Sequence, residues 1–72
     1  MPEDREAVLR QAYRDAVAAL PLRTRAIFLA HRIDGDELAA IADRHVLPIK
    51  AVERHVADAL IAIDKALRRA GC

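Results

Sequence analysis

The chain has 72 residues, and its 12 Lys and Arg residues against 11 Asp and Glu residues give a formal net charge of +1. A chain of this length forms one small domain that buries only about 60% of the surface its unfolded form exposes, which excludes a large enclosed active site. A protein that holds nucleic acid by electrostatics alone is strongly basic, so a net charge this close to zero excludes that class of protein.

Cysteine content and the N-terminal segment bear on where the chain works. Its single cysteine is Cys72, which excludes an internal disulfide and a cysteine metal cage. No run approaches the roughly 18 apolar residues of a membrane span, and segment 1–6 is charged where a signal peptide would be apolar. We therefore expect a soluble protein of the reducing cytoplasm.

Apolar residues recur at spacings of three and four, whereas strict alternation over the length of a strand is absent. This pattern predicts an all-α fold with four helices in a single domain over 1–72. The first helix is expected over about 3–19, with an apolar stripe from Val8 to Leu20. Pro21 suits the first turn of a second helix over 21–32, which carries Ile27 and Phe28.

The second half of the chain contains two further predicted helices. Gly35 suits a left-handed helix stop, and Asp36 suits the cap of a short helix over 37–45. Pro48 begins a long helix over 48–69, and we expect Gly71 and Cys72 to fray. The predicted core stripe of this helix consists of Val52, Val56, Leu60, Ile63 and Leu67, while Ile49 and Ile61 fall outside it.

A short helix, a turn of three or four residues and a longer helix form the layout of a helix-turn-helix, whose second helix enters the DNA major groove. Many small helical bundles share this layout, so the order and spacing of particular residues matter more. The informative fragments are Leu20-Pro21, Arg25 to Leu29, Arg32 to Gly35, Ile41 to His45, Lys50 to Val56, and Ala59-Leu60.

These fragments together resemble region 4 of bacterial sigma factors over roughly residues 8–69. The resemblance is greatest to the extracytoplasmic-function group, and the stretch from Val52 to Val56 is similar to its iron-citrate-responsive branch. It implies a helix-turn-helix domain of the winged-helix-like or homeodomain-like class. It also implies that this domain recognises the promoter −35 element within RNA polymerase holoenzyme and docks on the β flap of the polymerase.

Residue roles carried over from the resemblance lie mainly on the fourth helix. The residues nearest the DNA would be Lys50, Glu53, Arg54 and Ala57, with His55 as a further donor on the exposed face. At the end of the second helix, His31 and Arg32 would approach a phosphate.

The side-chain chemistry of the fourth helix supports this assignment in part. Lys50 and Arg54 are four residues apart and share a helix face, from which they can reach phosphate or guanine, and Glu53 can accept from cytosine. Asp58 follows on the same face, where it would repel phosphate or neutralise Arg54. Segment 48–58 has no net formal charge, so we expect weak binding to free DNA and a need for tethering beside a second contact.

Two departures from the family pattern concern the turn. Val46 stands where glycine is favoured, so a left-handed backbone there would be strained. His45 stands where a core leucine is frequent, and we expect it to pack at the turn.

Other kinds of site find little support. The three histidines are not spaced as ligands on one helix face, so no metal site and no cofactor are expected. Thr24 and Cys72 are the only candidate nucleophiles, because the chain contains no serine, and we do not expect an enzyme.

Two alternative functions remain open. The chain could be a sigma-like interaction module bound by an anti-sigma factor, since the first helix and the region from Leu20 to Leu29 carry more apolar surface than three short neighbouring helices need. It could also be the DNA-binding domain of a response regulator. A length of 72 residues leaves no room for the region that opens the −10 element, so we expect either part of a longer sigma factor or a stand-alone domain.

Overall fold

The computed structural model describes residues 4–71 and contains four α-helices. They are α1 (Arg5–Ala19), α2 (Leu22–Arg32), α3 (Leu38–His45) and α4 (Ile49–Gly71). The all-α prediction is confirmed, and no strand occurs among residues 4–71. The predicted start of the first helix at Glu3 lies outside the described residues. Gly71 is helical, so the expectation that it frays is wrong, while Cys72 lies outside the described part.

Local features mark the start of α1 and both ends of α2. Asp4 caps α1, because its carboxylate accepts from the amides of Glu6 and Ala7 at 3.0 and 3.3 Å. Pro21 lies at the N-cap position of α2, one residue before the first turn. The chain leaves α2 through Gly35, whose φ of 74° is the predicted left-handed conformation.

The predicted cap of α3 is wrong. Glu37 occupies the N-cap position and makes no side-chain capping bond. The carboxylate of Asp36 instead accepts from the guanidinium of Arg44 at 3.1 Å, so it braces the C-terminal turn of α3 rather than its start.

The core consists of two clusters that meet along α4, which packs against all three other helices. Phe28 centres the first cluster, between α1, α2 and α4, and Ile41 and Val52 are fully buried in the second, between α2, α3 and α4. The predicted stripe on α4 is wrong at Leu60, which is exposed, because Ala59 takes the buried position between Val56 and Ile63.

The turn between α3 and α4 is tight and strained. Val46 has φ 55° and ψ 51°, a left-handed conformation that β-branched residues rarely adopt. The Leu47 amide donates to the Ala42 carbonyl at 2.9 Å, which is the six-to-one bond of a Schellman motif. Val46 itself is 89% exposed, so its side chain gains almost no burial in return for the strain.

None of the four helices combines the length and apolar character needed to cross a membrane.

Candidate nucleic-acid interface

The turn and its two flanking helices form the predicted helix-turn-helix. α3 packs its buried residues Ile41 and Ala42 against Val52 of α4, and the turn over 46–48 joins the two helices. Because Val52 anchors one side of the first turns of α4, the opposite side of these turns faces outward. This arrangement leaves a helix face available to a DNA groove.

Four of the predicted DNA-binding residues share that outward face of α4. Lys50, Glu53, Arg54 and Ala57 are all exposed, and their spacings of three, one and three place them on one side of the helix. The ion pairs within residues 4–71 are Asp36–Arg44 and Asp64–Arg68, so neither Lys50 nor Arg54 has an acidic partner there. Both cations therefore keep their charge available to an anionic ligand.

Asp58 is exposed one turn beyond Arg54, as the sequence indicated. No ion pair joins the two side chains in the described part of the chain. The carboxylate therefore lowers the positive potential of the face without occupying the Arg54 guanidinium.

The remaining pair of predicted phosphate contacts lies at the end of α2, apart from the α4 face. Arg32 is exposed in the last turn of α2. His31 is half-buried, and its Nδ1 lies 3.4 Å from the backbone carbonyl of Asp36, to which it donates. His31 therefore helps to hold the loop that follows α2, and the neutral ring has only Nε2, an acceptor, left for other contacts.

His55 does not lie on the exposed face, so that prediction is wrong. Its ring is half-buried, and Nδ1 lies 2.8 Å from the hydroxyl oxygen of Thr24 on α2. Thr24 is only 6% exposed. The sequence indicated it only as a candidate nucleophile and did not predict its contact with His55. Its spacing from Ile27 and Phe28 places it on the buried face of α2, which is a signal that could have predicted a buried partner.

Metal-ligating side chains are dispersed. His31, His45 and His55 belong to α2, α3 and α4 respectively. No group of three or more His, Cys, Asp or Glu side chains in segment 4–71 is arranged to hold a metal ion.

Comparison with known proteins identifies the family. The family described as Sigma-70, region 4 matches residues 10–63, which span the last two thirds of α1 through most of α4. Searches of curated proteins and of solved structures returned no match. This family is typical of extracytoplasmic-function sigma factors, and membership implies binding to RNA polymerase as well as to DNA. The chain belongs to the Sigma-70 region 4 family, the non-enzymatic helix-turn-helix domain that recognises −35 promoter DNA in transcription initiation.

Proposed function

We propose that the outward face of α4, from Lys50 to Ala57, reads the −35 element in the major groove. The observation that carries this proposal is a pair of exposed cations, Lys50 and Arg54, on the side of α4 opposite buried Val52. Neither cation has an acidic partner among residues 4–71. Each cation can donate to phosphate or to the O6 and N7 edge of guanine, and Glu53 can accept from cytosine N4. Ala57 allows close approach because its side chain is small.

Residues outside this face have supporting roles in the proposal. Arg32 contacts a backbone phosphate and sets the register of the domain on the duplex without reading bases. His31 lies beside it and orders the loop through its bond to the Asp36 carbonyl. His55 supports α4 from within, because its Nδ1 already has a partner on α2.

Charge balance determines how such a face can be used. Lys50 and Arg54 are offset by Glu53 and Asp58 on the same helix. Since phosphate neutralisation supplies most non-specific DNA affinity, the domain alone binds DNA weakly. Attachment to RNA polymerase raises the effective concentration of α4 at the promoter and replaces that missing affinity.

Exposed apolar side chains supply the surface for protein partners in this proposal. Leu22 is 74% exposed at the start of α2, and Ile61 is 56% exposed on α4 beyond the DNA-reading turns. Side chains of this kind at an interface bury apolar area on association. The β flap of RNA polymerase is the docking partner that we propose, and an anti-sigma factor competes for the same side chains.

The finer classification is also part of the proposal. The stretch from Val52 to Val56 supports the iron-citrate-responsive branch of the extracytoplasmic-function group. The domain would then act in the cytoplasm, where RNA polymerase and promoter DNA meet.

The test begins with a pool of randomised DNA duplexes from which the wild-type chain selects its preferred sequence at about 50 mM salt. Fluorescence anisotropy then compares the enriched duplex with a scrambled one. We expect the double variant Lys50→Ala/Arg54→Ala to lose the preference, because each specific base contact is worth about 1–3 kcal/mol. Equal discrimination by wild type and double variant would contradict the proposed reading face.

The matched control is Lys65→Ala/Arg69→Ala, which removes the same charge from exposed positions at the far end of α4. We expect this control to keep the preference for the enriched duplex. In the same assay, RNA polymerase should increase DNA affinity, whereas an anti-sigma domain that binds the apolar side chains should decrease it. If no duplex is enriched and only an anti-sigma domain binds, the interaction-module alternative replaces DNA reading for the isolated chain.

A further inference from the structure

The Thr24–His55 contact is the one polar link between the side chains of two helices within residues 4–71. The other side chain to side chain hydrogen bonds there join residues of one helix, or Arg44 to Asp36 in the preceding loop. The two partners are 31 residues apart in the chain, and the oxygen to nitrogen distance is 2.8 Å. Such a contact requires α2 and α4 to take one particular relative position.

The surroundings of Thr24 indicate how the protons are arranged. Its hydroxyl is buried, and His55 Nδ1 is its only hydrogen-bond partner in the described part of the chain. If Nδ1 carried the proton, the hydroxyl oxygen would accept and the buried hydroxyl hydrogen would lack an acceptor. The satisfied arrangement has Thr24 donating to Nδ1, which leaves the ring proton on Nε2.

The contact lies where the two core clusters meet on α4. His55 is three residues after Val52, of the second cluster, and four residues before Ala59, of the first. On α2, Thr24 lies three residues before Ile27, of the second cluster, and four residues before Phe28, of the first. Apolar burial is non-directional, so packing against small residues such as Ala59 constrains the rotation of α4 weakly, whereas a hydrogen bond constrains it by distance and angle.

We propose that Thr24 and His55 are positioning residues for promoter recognition. Their hydrogen bond sets the rotation of α4 on α2, and it thereby aims Lys50 and Arg54, which lie five residues and one residue before His55 respectively, at the groove. This inference rests on the proposed DNA-reading role of α4. Loss of the bond would let α4 rotate or slide by a small amount, which weakens directional base contacts more than flexible phosphate contacts.

The test uses the 72-residue chain with Thr24→Val, which replaces the hydroxyl by a methyl of similar size, and Thr24→Ser, which keeps the hydroxyl. Anisotropy at low salt measures affinity for the wild-type-enriched duplex and for the scrambled duplex. We expect Thr24→Val to reduce the ratio of the two affinities about tenfold, through loss of affinity for the enriched duplex, whereas Thr24→Ser keeps the wild-type ratio. Urea unfolding of each variant shows whether the fold itself has changed.

A spectroscopic readout tests the contact directly. Nitrogen NMR of His55 should show an unprotonated Nδ1 and a protonated Nε2 in the wild type and in Thr24→Ser, and a changed tautomer balance in Thr24→Val. His55→Phe, alone and combined with Thr24→Val, completes a double-mutant cycle. If the bond is the cause, the second substitution adds little to the effect of the first.

The outcomes separate the inference from the proposed function. If Thr24→Val keeps the wild-type affinity ratio while Lys50→Ala/Arg54→Ala loses it, the reading face stands and the positioning role is overturned. If His55→Phe reduces affinity for both duplexes well beyond Thr24→Val, His55 contacts DNA itself and the positioning role is again overturned. If the wild type shows no discrimination, the reading face fails and the inference that rests on it fails too.

Discussion

Val46 concentrates the backbone strain of the domain in a single exposed residue. Its left-handed conformation costs a non-glycine residue of order 1–3 kcal/mol, and β branching makes the crowding worse. The side chain is exposed, so little apolar burial offsets this cost. The left-handed turn is still required, because the Leu47 amide must reach the Ala42 carbonyl to close α3.

We therefore predict that Val46→Gly stabilises the domain by about 1 kcal/mol, because relief of strain exceeds the backbone entropy that glycine loses on folding. The urea midpoint should rise with no change in the slope of the unfolding free energy. Val46→Ala is the matched control, since it removes the branch and keeps the Cβ, and it should gain less. A lower midpoint for the glycine variant would show that the turn carries no such strain.

Thr24 and His55 show why a single residue can be placed on the correct helix and still be misinterpreted. Adjacent helix residues point about 100° apart, so the pattern indicates that His55 lies off the centre of the core stripe. Whether that flank faces solvent or a neighbouring helix depends on the position of α2, because the partner of His55 on α2 is 31 residues away in the chain. Local periodicity contains no information about that approach.

The starts of α1 and α3 show how local and tertiary interactions compete for the same kind of side chain. Asp4 accepts hydrogen bonds from two amides of its own helix, so this cap is a local interaction. Asp36 has the same chemistry and a suitable position for capping α3. It instead pairs with Arg44, eight residues later in the last turn of α3, and Glu37 takes the cap position. Capping preference predicts which residues are able to cap, and competing partners decide which of them do.

This difference predicts unequal costs for two similar substitutions. Asp4→Ala should destabilise the domain by about 1 kcal/mol through loss of the cap, and Asp4→Asn should restore most of the loss because asparagine also caps. Asp36→Ala removes a partly exposed ion pair and should cost only about 0.2–1 kcal/mol, less at high salt. Urea unfolding at low and high salt measures both effects. A larger, salt-independent cost for Asp36→Ala would indicate that it supports the loop by other contacts.

The four helices were predictable because the residues that start and end them act locally. Apolar spacing with Pro21, Gly35 and Pro48 predicts four helices, and each observed end in the described residues lies within two residues of its predicted position. The error on α4 arose because Leu60 and Ala59 both fit an apolar stripe, and packing against Phe28 and Val17 selects the smaller side chain. The exposed face with Lys50 and Arg54 was predictable because it is the complement of the core stripe.

At the scale of the whole molecule, α4 serves as core, as proposed reading element and as part of the proposed partner surface. Its first turns present Lys50 and Arg54, its buried side joins both core clusters, and its later turns expose Ile61. Movement of α4 is therefore coupled to the packing of every other helix. A net charge of +1 leaves little long-range attraction for DNA, so specificity must come from geometry and affinity from a partner.

The number of phosphate contacts between the domain and DNA can be measured from the salt dependence of DNA affinity. Each phosphate contact contributes about 0.9 to the slope of log affinity against log salt, so two or three contacts give a slope of about −2 to −3. Arg32→Ala should make this slope less negative by about one and should weaken all duplexes equally, because a phosphate contact carries no sequence information.

Arg23→Ala is the matched control for Arg32→Ala, since it removes the same charge from an exposed position at the opposite end of α2. Its slope should stay at the wild-type value if only the end of α2 meets a phosphate. Equal changes in both variants would instead show that DNA responds to the overall charge of the domain. In that event the end of α2 makes no localised contact, and the register of the domain on the duplex must be set by α4 alone.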